Sequence, residues 1–160
     1  MNSIRWSVLV PIALFAAIAQ PALRALAFGG GFPDLLFLLL LLAVPHSQEV
    51  QGRTLLLVFL LGSLRCVGTV VSPFATWAGF GCGLLARGFA ASLLRQDRFV
   101  SRLLTGAFSV FPVLFFDKIA ASHFGLVWES PHAFWQIAGT GLLWSLAMAP
   151  PPLPGRGRVA

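Results

Sequence analysis

Charge is scarce in this chain: only 10% of its residues are charged, and the acids number five. A water-soluble fold needs more polar surface than that, and the hydrophobic fraction of 58% with a mean hydropathy of +0.86 exceeds what soluble domains carry. Cysteine is nearly missing too. Cys66 and Cys82 stand in apolar segments without CxxC spacing, which argues against a disulfide or a thiolate metal site. There is no nucleophile elbow, no P-loop, no HExxH and no pair of carboxylates within one segment, so no catalytic, metal or cofactor residue is assigned and the chain is read as a non-enzyme. His46 and Glu49 share a loop with no metal or nucleophile partner, and His123 and His132 read as surface residues. The net charge of +6 is not gathered into a basic run or an aromatic-basic face, which excludes nucleic acid as the partner. No repeat of solenoid period is visible.

What remains is a series of long apolar stretches separated by short charged clusters, the pattern that a bilayer imposes. Six segments stand out: Trp6 to Leu26, Pro33 to Val44, Thr54 to Val71, Phe74 to Leu94, Leu103 to Ala121 and Phe134 to Ala149. The first is too long for a signal-peptide core and is followed at once by more apolar sequence, so it reads as a retained helix. The fold class expected is all-α transmembrane, a single bundle of six helices over residues 1–149 with a Pro/Arg-rich cytoplasmic tail at 150–160. The second segment holds about twelve strongly apolar residues, short of the ~20 needed to span, and if it is re-entrant the spans are five.

Turn chemistry marks the boundaries. Gly29, Gly30 and Gly31 precede Pro33 and Asp34, a good helix start because proline forfeits no bond in the first turn and a carboxylate suits the positive helix end. Pro45 closes that helix, Ser72 and Pro73 divide the third and fourth segments, and Ser130 and Pro131 precede the sixth. With six spans and both termini cytoplasmic, Arg5, Arg53, Arg95, Arg98, Arg102, Arg156 and Arg158 fall inside and only Arg24 and Lys118 outside. That distribution follows the positive-inside rule, and five spans would violate it at one terminus.

Few polar groups fall at membrane depth. Arg65 lies roughly 17 Å along the third helix and Asp117 roughly 21 Å along the fifth, both counted from the cytoplasmic end at 1.5 Å per residue. Their matched depth makes them the candidate ion pair, or the lining of a polar pocket. Arg87 lies about two turns from the cytoplasmic end of the fourth helix, from where its side chain is expected to snorkel to the headgroups. Gly79 and Gly83 stand at GxxxG spacing, with Ala13 and Ala17 a weaker pair, and these four are the candidate surface for helix packing or a partner. Trp128, Phe134 and Trp135 read as interfacial anchors.

In order along the chain, Phe32-Pro33-Asp34-Leu35-Leu36, Pro45-His46, Leu60-Leu61-Gly62-Ser63-Leu64, Asp117, Phe134-Trp135 and Gly141-Leu142-Leu143-Trp144 resemble segments of the bacterial rod-shape-determining protein MreD family. Two departures stand out: Arg65-Cys66 replaces an acid common after the glycine of the third span, and Val70-Val71-Ser72-Pro73 replaces a Gly-rich turn. The resemblance implies a cytoplasmic-membrane scaffold of the lateral wall-elongation machinery. Such a scaffold binds an MreC-like membrane protein and links, directly or through it, to MreB and the wall synthases. Its motif positions are Pro33, Asp34, Pro45, His46 and Trp144. That family in turn looks like the six-helix substrate-binding subunits of energy-coupling-factor vitamin transporters. By that likeness, the alternative is a vitamin pocket lined by Arg65 and Asp117, with Ala13 and Ala17 docking the energising partner.

Overall fold

The computed structural model describes residues 6–26, 32–44, 52–67, 72–96, 98–125 and 130–148. Among them the secondary structure is entirely helical: α1 (Trp6–Leu26), α2 (Leu35–Ala43), α3 (Gly52–Cys66), α4 (Pro73–Leu93), α5 (Phe99–His123) and α6 (Ser130–Ala147). Each expected segment contains one helix, with ends moved by up to five residues. The third was expected to reach Val71, but its helix closes at Cys66, and α5 begins four residues before the expected Leu103. Two helices, α1 and α5, are long and apolar enough to cross a membrane. Pro45, His46, Glu49, Val70, Val71, Trp128 and the tail lie outside the described residues.

Helices α3, α4, α5 and α6 pack successively against one another, and α1 lies along α2 and α3. The element that organises the rest is the shortest. α2 has nine residues, and Leu36, Phe37, Leu39, Leu40, Leu41 and Ala43 are all buried. A helix that is hydrophobic all round demands enclosure, and α2 receives it from α1, α3 and α6, with Phe37 tilted against Phe80 of α4 at 5.2 Å.

The close approaches depend on glycine. A Cβ on Gly83 would lie 2.6 Å from the Phe37 ring and 2.7 Å from the Ser109 carbonyl oxygen, and one on Gly79 would stand 3.2 Å from the Val113 Cα. The GxxxG pair is thus filled from within the chain, by α5 and the tip of Phe37. Ala13 faces the core at 1% exposure, and Ala17 is half-buried against it.

Buried hydroxyls accompany the apolar core, and large apolar side chains also face outward. Thr76, Thr105, Ser109, Thr140 and Ser145 are buried, whereas Phe15, Ile18 and Phe74 are 74%, 78% and 77% exposed. The buried hydroxyls of Ser109 and Thr105 donate to carbonyls of their own helix, Gly106 and Ser101, so their burial strands no donor.

Candidate functional site: a buried ionic cluster around the short helix

Asp34 is the N-cap of α2, its Oδ1 accepting the Phe37 N–H at 3.1 Å in an extended backbone conformation suited to the role. Its other oxygen, Oδ2, accepts from Arg65 Nε of α3 and from Arg24 Nη2 at the end of α1, the latter at 3.5 Å. The fork of Arg65 then turns to α5, where Nη1 and Nη2 donate to Asp117 Oδ1 and Oδ2 at 2.9 and 2.5 Å. One guanidinium therefore ties three helices through its three nitrogens, held in a planar fork that only arginine presents. The Phe80 ring of α4 lies 5.7 Å from its Cζ, adding an aromatic face. The side chains of Arg65, Asp34 and Asp117 are 3%, 6% and 8% exposed. Two cations and two anions cancel, so the cluster can sit in an apolar surround without net charge.

The other end of α2 is held by a second arginine. Arg87 of α4 donates through Nη1 to the carbonyls of Leu41 and Val44 at 2.6 and 3.0 Å, and its Cζ stands 5.7 Å from the Trp144 ring. It is buried, at 5% exposure. The expectation that it snorkels to the headgroups is therefore corrected. A nine-residue helix halted ahead of a proline ends deep among its neighbours, and its last carbonyls need a cation more than the headgroups do. Arg87→Met is expected to cost about 2–3 kcal/mol, since the buried carbonyls lose their donor, with Arg87→Lys recovering part of it. Thermal unfolding in mild detergent measures both.

Sequence reasoning matched Arg65 with Asp117 and missed Asp34 as their third partner and Arg24 as their fourth. The signal was present: Arg24 ends the first segment and Asp34 opens the second, so both fall at the same end of the bundle as Asp117. Lys118, adjacent to Asp117, is exposed and outside the cluster. Of the motif positions, Pro33, Asp34 and Trp144 have structural roles here. Pro33 packs where a Cβ on Gly139 would come within 2.5 Å of its ring, and Trp144 is wholly buried where a Cβ on Gly106 would lie 2.8 Å from its own Cβ. Cys66 and Cys82 are free thiols.

A cavity of about 30 Å³ lies beside the cluster, lined by Ala17, Gln20, Pro21, Arg24, Leu36, Leu64 and Arg65. It is water-sized. Gln20 Oε1 and Arg24 Nε are buried there without a hydrogen-bond partner among the described residues.

These features define an all-helical protein with an apolar exterior and a neutral ionic core that joins four of its helices. Comparison with protein-family models, with curated proteins and with solved structures returned no match.

Proposed function

We propose that this chain is a polytopic scaffold of the bacterial cytoplasmic membrane, with six spans and both termini cytoplasmic, that works by binding and not by chemistry. By its resemblance to the MreD family, its partner is an MreC-like membrane protein, through which it connects to MreB and the wall synthases. The observation that carries the reading is the cluster itself. Arg65, Asp34 and Asp117 are the buried charges best placed to act on a ligand, and they bond one another across α2, α3 and α5. Charges engaged this way set helix register and leave the exterior to meet partners. The apolar exterior, exemplified by Phe15, Ile18 and Phe74, supports burial in lipid, because soluble monomers seldom expose contiguous apolar surface on this scale.

The vitamin-binding alternative is disfavoured by space and by the first helix. A small-molecule pocket takes about 300–1,000 Å³, whereas the cavity at Arg65 offers about 30 Å³. Ala13, which would dock the energising partner, faces inward.

Affinity purification from native membranes in mild detergent tests the proposal. Recovery of an MreC-like protein is the expected result. Recovery of two ATPases with a membrane coupler, or a raised melting temperature in the presence of a vitamin, overturns it.

A further inference from the structure

The sequence joining α4 to α5 and the first turn of α5 carry the chain's densest group of cations, Arg95, Arg98 and Arg102, with a single acid, Asp97, among them. The turn is fastened from within. Gln96 Nε2 donates to the Leu94 carbonyl at 3.1 Å and to Thr105 Oγ1 at 2.9 Å, while Arg102 Nη1 donates to the Gln96 carbonyl at 3.4 Å. Arg102 is thereby drawn inward and buried, and Arg95 and Arg98 are left exposed on the outside of the turn.

Next along both helices, α4 and α5 border an apolar groove of about 350 Å³ lined by Phe89, Ala90, Leu93, Leu94, Leu104 and Phe108. Phe89 and Phe108 form exposed walls, at 61% and 52%, and Ala90 is buried at the floor. From Arg98 to Phe108 is ten residues of helix, roughly 15 Å at 1.5 Å per residue, or about half the ~30 Å hydrocarbon core. The lining of the groove covers roughly 6–8 Å of each helix, and its far end lies about one leaflet from the exposed arginines of the turn.

We propose that this groove and turn form a binding site for an anionic phospholipid, one acyl chain between Phe89 and Phe108 and the headgroup phosphate against Arg95 and Arg98. The inference rests on the membrane-spanning reading. An acyl chain matches a slot without polar lining, and a phosphate with a further negative charge matches two exposed arginines at the water boundary. An acidic segment of a soluble partner would match the arginines but would leave the apolar slot unfilled.

The test is native mass spectrometry of the full chain, purified in mild detergent and offered phosphatidylglycerol or phosphatidylcholine of the same acyl composition. One phosphatidylglycerol per chain is expected to be retained in preference to phosphatidylcholine. The preference is roughly thirtyfold, each arginine near the headgroups giving about a factor of five. Arg95→Gln with Arg98→Gln should abolish the preference, and Arg95→Lys with Arg98→Lys should keep most of it. Phe89→Ala with Phe108→Ala should weaken retention of both lipids; these walls are exposed, so the substitutions spare the core. A preference that survives the glutamine pair, or none in the original chain, overturns the site. Extraction of the chain from native membranes with alkaline carbonate reports separately on the premise: resistance leaves the membrane reading standing whatever the lipids do, and release overturns both.

Discussion

Replacing Arg65 with methionine is expected to destabilise the fold by about 3–5 kcal/mol, because it strips both buried carboxylates, Asp34 and Asp117, of their shared cation and leaves Asp34 the partly exposed Arg24 at 3.5 Å. Thermal or denaturant unfolding in mild detergent reads the loss. Asp117→Asn should cost less, since Arg65 retains Asp34. The informative comparison is the triple variant Arg65→Met, Asp34→Asn, Asp117→Leu. It removes all three charges while keeping a side chain that can cap α2, and it is expected to recover much of the stability lost by the single change. A loss below about 1 kcal/mol for Arg65→Met would place it among exposed surface pairs and sink the view of the cluster as the core's tie. Exchanging Arg65 and Asp117, the natural test of a two-member pair, does not suit this site. The exchange would set a carboxylate at position 65 against Asp34, so it should fail even though the original pair is real.

Gly83→Ala is expected to produce the second large loss, at or above the ~1–3 kcal/mol typical of overpacking. The added Cβ meets the Ser109 carbonyl oxygen at 2.7 Å as well as the Phe37 ring, and backbone cannot rotate away as a side chain can. Helices α4 and α5 must separate to admit it. Two residues earlier the sign reverses: nothing lies within 4 Å of a Cβ on Gly81, so Gly81→Ala should leave the melting temperature unchanged or slightly raised. Equal losses at the two positions would mean that helix approach does not depend on Gly83.

Much of the helix order was legible in the sequence because apolar runs and proline-bearing turns are local signals. Depth along two helices was enough to pair Arg65 with Asp117. What escaped was the convergence of separate signals. Asp34 satisfied the description of a helix start, and one satisfied role gave no reason to look for another; its Oδ1 serves the backbone and its Oδ2 serves Arg65 and Arg24. Arg87 was misplaced for a related reason. Snorkelling follows from a residue's own helix, whereas the carbonyls it binds belong to α2, more than forty residues earlier in the chain. Gly106, Gly139 and Gly141 share the close packing of the GxxxG pair without its spacing, and only their partners reveal them.

The short second helix also constrains the order in which the chain can be assembled. Its nine residues rise roughly 14 Å, under half the hydrocarbon thickness, so it cannot enter a bilayer as a span on its own account. Of the described side chains that hold its ends, Arg24 precedes it in the chain, and Arg65 and Arg87 are made later. Among the described residues, a nascent chain stopped after α2 has no side-chain donor for that helix's last carbonyls and only a partly exposed one for its cap. On the proposed membrane-spanning reading, this segment is expected to wait at the membrane surface or in the insertion machinery until the fourth helix arrives to close over it.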